Sequence, residues 1–297
     1  MSRVGVLTFR RFFEFNDAKR IARQKQDISD LAIRKDIPYI DDGEQGHLLD
    51  VYSLHGTDEN APVMINIHGG GLFASYKEVN ANYNYEWARM GYRVVSINYR
   101  RIPETTLWNQ IGDVMAAMRY IEKNRAELGL NLGRCYLTGD SAGALLCLFV
   151  LALHGSRKLQ NDFGIAASGI RFRAAGLISI MLDTQRRDLL SVISNVITDE
   201  NDRGKAYEPY LLDPVSMVAD TTLPPIWQVT SAEDLIRNDS LKFSDALEIS
   251  GAEHVLVDYP KGTERKLIHV FSVQFPMYPE SREVLSSMDG FFTAHAE

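Results

Sequence analysis

Six short stretches are apolar at nearly every position: 62–68 (PVMINIH), 92–100 (YRVVSINYR), 134–139 (RCYLTG), 172–180 (FRAAGLISI), 225–231 (PIWQVTS) and 254–259 (HVLVDY). Strands with helices on both faces read this way, because neither face meets water. Between them the period changes. Residues 108–129 carry Ile111, Val114, Met115, Met118 and Ile121 at helical spacing. Residues 142–153 (AGALLCLFVLAL) are apolar nearly all round, as a fully enclosed helix is. Further helices are predicted over 239–250 and 280–294. Strand–helix–strand alternation predicts a mostly parallel central sheet flanked by helices.

Two stretches break that rhythm. Residues 1–45 read as mostly helical, through charge and the positions of Ile21, Ile28 and Leu31. The helix is predicted to end before Pro38, because the residue before a proline resists α geometry. Residues 181–222 form a long, partly helical excursion between two core strands, and excursions of that length in compact domains are commonly lids or binding elements. The expected organisation is an N-terminal cap segment (1–45), a catalytic core in two pieces (46–180 and 223–297) and a cap insertion (181–222). The cap is expected to lie over the strand ends.

Composition narrows the class. The 297 residues are 45% hydrophobic and carry a net charge of −7, enough for a substantial core and unsuited to general nucleic-acid binding. The first 35 residues hold nine Lys/Arg against four Asp/Glu, which is +5, so the remainder is −12. The basic end reads as a solvated helix face rather than a membrane or nucleic-acid patch. The longest apolar run, Ala144–Leu153, is far short of a membrane span, so no stable membrane insertion is expected. The start is too interrupted by charge for a signal peptide. Arg10–Arg11 also lacks the apolar stretch that a twin-arginine signal requires. A soluble, cytoplasmic protein is expected. Cys135 and Cys147 lie in apolar surroundings and read as buried small hydrophobes. No disulfide framework or metal spacing is present, so neither a metal nor a cofactor is expected.

The chemistry-bearing pattern is TGDSAGA, residues 138–144, where Gly139, Ser141 and Gly143 make Gly-x-Ser-x-Gly between a predicted strand and a predicted helix. A sharp strand-to-helix turn lifts the serine hydroxyl above the sheet and demands small neighbours. The bland alternative is a small-residue helix start capped by Asp140 or Ser141. A serine hydroxyl needs a base, and the base an orienting acid. Of the seven histidines, His269 follows the strand 254–259 by about ten residues and precedes the last helix, where a base at the same sheet edge belongs. His254 begins a strand and His295 lies near the C-terminus. The acid should follow strand 225–231. Asp234 stands in the loop directly after it, Glu233 is the runner-up, and Asp239 is expected to cap the next helix.

HGGG, residues 68–71, follows the strand 62–68. Backbone N–H groups that stabilise a tetrahedral oxyanion must approach the substrate closely, where a Cβ obstructs. The N–H groups of Gly70, Gly71 and Ala142 are therefore assigned as oxyanion donors. Gly69 is assigned to the bend, with His68 and Asp140 as loop support. A side chain at Gly70 is expected to lower turnover more than stability.

These pieces together resemble the hormone-sensitive-lipase-like family of α/β-hydrolase carboxylesterases, through HGGG (68–71), SINYRRIPE (96–104), GDSAG (139–143), EDLIRND (233–239) and IHVF (268–271). The resemblance implies an α/β-hydrolase fold with an eight-stranded, mostly parallel sheet and a helical cap. It also implies Ser141 as nucleophile with Asp234 and His269, and Gly70, Gly71 and Ala142 as the oxyanion hole. Two motifs depart from the family: Asp234 is followed by Leu235-Ile236 rather than Pro-Leu, and His269 by Val270 rather than Gly. Tyr99, Arg100 and Glu104 are expected to tie their strand end to the serine turn. The expected function is hydrolysis of short- to medium-chain or small aryl carboxylic esters. An amidase or formamidase on the same triad is the alternative, and a non-catalytic ligand receptor the remote one. A small-molecule ester is the expected partner, and an exposed last strand or helix leaves a homodimer open. Of the apolar cap residues Phe9, Phe12, Phe13, Tyr207, Tyr210 and Leu211, most are expected to be cap core rather than pocket lining.

Overall fold

The computed structural model describes residues 3–185, 197–262 and 264–297. In chain order the elements are α1 (Arg3–Arg23), β1 (Leu31–Pro38), β2 (Leu48–Leu54), β3 (Val63–Ile67), α2 (Ala81–Arg89), β4 (Arg93–Ile97), α3 (Leu107–Lys123), α4 (Arg125–Leu128), β5 (Cys135–Asp140), α5 (Ala142–Gly155), α6 (Arg157–Phe163), β6 (Phe172–Ile178), α7 (Glu208–Leu212), β7 (Ile226–Ser231), α8 (Arg237–Ser250), β8 (His254–Tyr259), α9 (Phe271–Gln274) and α10 (Pro279–Ala294). The strands form one sheet in the order β1-β2-β4-β3-β5-β6-β7-β8. β2 runs antiparallel to β1 and β4, and β3 to β8 are mutually parallel.

The six stretches read as strands are β3 to β8. β3 and β5 are buried at every position, because helices cover both faces. On one face α5, buried from Ala142 to Leu153, packs with α3 and the apolar side of α8. On the other, α2 and α10 pack through Trp87, Val284, Met288 and Phe292, and Tyr136 stacks on Phe292 at 4.5 Å. Cys135 and Cys147 are buried and unpaired, and burial drives both thiol pKa values up.

The N-terminal reading needs correction. The helix ends at Arg23, and residues 31–38 are a strand that pairs antiparallel with β2, so 1–45 is not wholly a cap. The Asp27 side chain accepts the Ser29 N–H, a turn that competes with helix continuation. Beyond it Leu31 and Ile33 alternate toward the core, a period of two that the wider helical spacing masked. An irregularity between Arg34 and Ile37, with Asp36 at φ 55°, breaks the alternation further. The buried Lys77 ammonium ties it down by pairing with Asp36 and Asp50.

Of the cap insertion 181–222, residues 186–196 lie outside the described residues. Part of the remainder packs against α3, α5 and α6. Tyr207 stacks between Trp108 and Phe163, and Tyr210, Leu211, Met217 and Val218 are buried with α5 and α6. The N-terminal segment contributes α1, which packs on the core through Val6, Phe9 and Phe13. Its Arg10 guanidinium donates to the Phe73 and Ile102 carbonyls and to Glu104 (2.9 Å). Among the described residues, no single helix is long and apolar enough to cross a membrane.

Candidate active site

The turn from β5 into α5 holds Ser141 at φ 53°, ψ −116°, outside ordinary helix or strand geometry. Its N–H donates to the Ile178 carbonyl (2.9 Å), which holds the turn against β6. The turn closes only because its neighbours are glycines. A Cβ at Gly143 would lie 2.0 Å from the Ile67 carbonyl oxygen, and one at Gly139 would lie 2.7 Å from the Gly143 backbone.

The structure brings Ser141, His269 and Asp234 together from three loops at one sheet edge. The Ser141 hydroxyl donates to His269 Nε2 (3.0 Å), and His269 Nδ1–H donates to Asp234 Oδ1 (2.8 Å). Asp234 also accepts the Ile236 N–H (2.9 Å) and the Thr230 hydroxyl (3.2 Å). Burial pushes its carboxyl pKa up, but the His269 bond and charge, the Ser179 hydroxyl and the Ile236 N–H outweigh this and hold it below the ordinary value. His254 and His295 lie elsewhere, bonded to the Ala252 carbonyl and to Glu253.

Glu233 has a different task from that of an orienting acid. Its carboxylate accepts the N–H groups of Leu267 (2.9 Å) and Gly262 (3.2 Å), and so pins the loop that carries His269. The Ser231 hydroxyl donates to the Leu267 carbonyl and pins the same loop. Asp239 does not cap its helix as expected. Its carboxylate takes the N–H groups of Leu182 (2.8 Å) and Asp183 (3.0 Å), which anchors the exit of β6 to α8.

The HGGG loop lies against the serine turn. Asp140 Oδ1 accepts the Gly69 N–H (3.0 Å) and the Asn80 amide (2.7 Å). Burial raises the Asp140 pKa, and the Asn80 and Gly69 bonds offset part of that rise. His68 is fully enclosed, and burial lowers its pKa to about 3, so the ring is neutral. It donates from Nδ1 to the Gly69 carbonyl (2.6 Å) and stacks on Tyr99 at 4.4 Å. Gly70 and Gly71 line the same cavity as Ser141, at φ 117° and 60°. Among the described residues no hydrogen bond uses either N–H. Ala142 opens α5, where a helix offers its N–H no internal partner.

Two expectations for this loop change. Gly69 serves close approach rather than the bend, since a Cβ there would meet Asp140 Oδ2 at 2.4 Å. A Cβ at Gly70 would meet the Ala74 carbonyl oxygen at 2.2 Å, so substitution disrupts the loop itself and cannot separate turnover from folding. Tyr99 braces the HGGG loop by donating to the His68 carbonyl (2.9 Å). Arg100 and Glu104 do not reach the serine turn: Arg100 grips Asp113 of α3, and Glu104 holds Arg10 of α1.

The cavity above Ser141 has a volume of about 130 Å³. Phe13, Phe73, Met181, Val270 and Val273 give it apolar walls, and Asp17 and Arg20 of α1 a polar one. Among the apolar cap residues, only Phe13 lines it. Phe9 packs on Phe13 and Phe73, and Phe12 is exposed. Ser179, Asn80 and Arg10 carried no sequence signal, and Glu233 read only as a second candidate acid, because the bonds that define their roles reach partners at least 29 residues away. Among the described residues no cluster of His, Cys, Asp and Glu suits a metal ion.

Comparison with known proteins places this geometry among esterases. A family profile described as BD-FAE matches residues 49–189, a little under half of the chain. The isoprenylcysteine alpha-carbonyl methylesterase ICME of Arabidopsis thaliana is 26% identical over 245 residues, 79% of this chain and 57% of that protein. The chain therefore spans little more than half the length of that relative. The hormone-sensitive lipase of Ictidomys tridecemlineatus is 32% identical over 113 residues, 38% of this chain and 15% of that protein. The crystal structure of esterase B from Lactobacillus rhamnosis (HN001) superposes with a TM-score of 0.91 at 25% identity, covering 99% of this chain and 94% of that one. The same esterase has been captured inhibited by a C4-C4 SN3 tributyrin phosphonate. The eight-stranded, mostly parallel sheet with flanking helices is that of these α/β-hydrolases.

Proposed function

We propose that the chain is a serine carboxylesterase of the hormone-sensitive-lipase-like kind, acting on esters of short carboxylic acids, a reading supported by its similarity to esterases of known sequence and structure. The observation that carries this reading is the unbroken hydrogen-bond line from Ser141 through His269 to Asp234, at 3.0 and 2.8 Å, under a cavity shared with Gly70 and Gly71. Ser141 Oγ attacks the ester carbonyl carbon while His269 Nε2 takes its proton. Asp234 holds the ring in the tautomer that leaves Nε2 free to accept, and stabilises the imidazolium that forms. The carbonyl oxygen becomes an oxyanion facing the N–H groups of Gly70, Gly71 and Ala142. Each such donor contributes about 10²–10³ in rate. Collapse expels the alcohol, which takes the proton back from His269. Water, deprotonated by His269, then attacks the acyl-enzyme, and the acid and free Ser141 result.

The cavity supports short acyl groups. Its volume of about 130 Å³ lies below the roughly 300–1,000 Å³ of pockets that enclose drug-sized ligands. Esters rather than amides are favoured by the esterase identity of the relatives. The test is hydrolysis of p-nitrophenyl esters from acetate upward by the wild type and Ser141→Ala, with matched amides alongside. Turnover should peak at short acyl lengths, exceed that on amides, and fall by up to about 10⁶ in the variant. Ser141→Ala at the wild-type rate, or a strong amide preference, would overturn the reading.

A further inference from the structure

Helix α1 turns different faces inward and outward. Val6, Phe9 and Phe13 face the core, where Phe9 stacks on Phe73 at 5.7 Å. Both of its carboxylates turn inward as well: Glu14 pairs with Arg101, and Asp17 with Ser75 and Arg20. The outward stripe is Arg11, Phe12, Phe15, Lys19, Ala22 and Arg23, all exposed and all within one side of the helix. Phe12 is 62% and Phe15 58% exposed, and the Lys19 ammonium sits 4.1 Å over the Phe15 ring. A merely solvated face accounts for the cations but not for two adjacent phenylalanines left in water. Two further apolar side chains are exposed, one at the Ser141 cavity and one near the end of α1. Leu235, 62% exposed, lines that cavity, and Met277, 48% exposed, meets Gln26 just past the end of α1.

We propose that the outer face of α1 seats the protein reversibly on an anionic lipid surface, with the cavity mouth turned toward it. Phe12 and Phe15 enter the headgroup–acyl boundary, and Arg11, Lys19 and Arg23 meet the lipid anions. Charge complementarity selects this occupant. The stripe holds three cations and no carboxylate, while the chain beyond residue 35 carries −12, so an anionic surface attracts this face and repels the rest. The stripe is one convex helix face without a groove, which suits a fluid surface that admits each ring separately.

The test is flotation of the full chain with vesicles of phosphatidylcholine alone, or with about 30% phosphatidylserine, at low and high salt. The wild type should float with the anionic vesicles at low salt and bind at least about tenfold more weakly at high salt. Phe12→Ser/Phe15→Ser and, separately, Arg11→Glu/Lys19→Glu should each weaken binding about tenfold, while thermal unfolding and p-nitrophenyl ester turnover in solution stay at wild-type values. If the first pair fails to fold, the charge-reversed pair carries the test by itself. Absence of wild-type binding to anionic vesicles at low salt, or binding indifferent to both pairs, would overturn the proposal. Self-association lost in the Phe12→Ser/Phe15→Ser variant, without vesicle binding, would assign the face to a second copy of the chain and overturn it too. The readout is membrane binding, so it stands or falls separately from the esterase reading.

Discussion

Val270 follows the candidate base at φ 50°, ψ 34°, left-handed geometry in which a Cβ crowds the backbone. A β-branched residue there costs about 1–2 kcal/mol. The strain persists because the side chain is buried against the cavity and because the Val270 N–H donates to the Ser179 hydroxyl (3.3 Å). Two effects oppose in Val270→Gly: relief of strain, and loss of a buried side chain that contributes about 1.5–3 kcal/mol. Val270→Ala loses the side chain's methyls but keeps a Cβ at positive φ. The glycine variant should therefore be at least as stable as the alanine variant, the reverse of the order at an ordinary position. It should also accept longer acyl chains than the wild type. Thermal unfolding and an acyl-length profile check both, and an alanine variant clearly the more stable would contradict the strain argument. Ser141 was legible in the sequence because its turn needs glycines on both sides. Asp234 and His269 were legible because each must follow a particular strand. Glu233 read as a spare acid until its bonds to Leu267 and Gly262 were visible.

At the scale of elements, α1 supplies one wall of the cavity while Ser141, His269 and Asp234 sit on core loops. The helix is held by Arg10, which reaches two backbone carbonyls and Glu104. Arg10→Leu removes all three partners, and charged hydrogen bonds of this kind contribute about 1.5–3 kcal/mol each. Loosening α1 should raise KM about tenfold and leave kcat within about threefold, because Phe13, Asp17 and Arg20 shift while the Ser141–His269–Asp234 line does not. Earlier proteolysis within 3–23 should accompany it. A kcat loss with unchanged KM would instead connect α1 to the chemistry. The parallel strands were legible to within a few residues, since burial on both faces forces unbroken apolar runs. β1 was not: it is an edge strand with an irregularity, and its two alternating residues, Leu31 and Ile33, fall in a segment whose charge suggested helix.

For the whole molecule, two buried carboxylates beside Ser141 answer pH in opposite directions. The Asp140 pKa is raised above its ordinary 3.8, so its contribution to stability is complete below that value and is lost as pH rises through the raised one. The Asp234 pKa is lowered, so its contribution is present above 3.8 and is lost as pH falls through the lowered one. Asp140→Asn keeps an acceptor for Gly69 and removes the charge, so it should gain stability relative to the wild type between about pH 4 and pH 7. Asp234→Asn should instead be less stable than the wild type by a nearly constant margin at both pH values, because the wild-type contribution is already present above 3.8. Thermal unfolding of both variants at the two pH values decides it, and parallel behaviour would refute the assignment of opposite environments.

The sequence by itself determined the parallel sheet, the serine turn and the chain order of Ser141, Asp234 and His269. Those features are local: apolar periodicity, small residues where a turn closes, and loops that must follow particular strands. Only the tertiary structure decided what the glycine loop rests on, which charged side chains pin the His269 loop, and which face of α1 meets water. Each of those depends on residues far apart in the chain meeting at one sheet edge. HGGG suggested backbone donors from its composition. The 2.2 Å approach that forbids a side chain at Gly70 exists only once Ala74 has folded back beneath it.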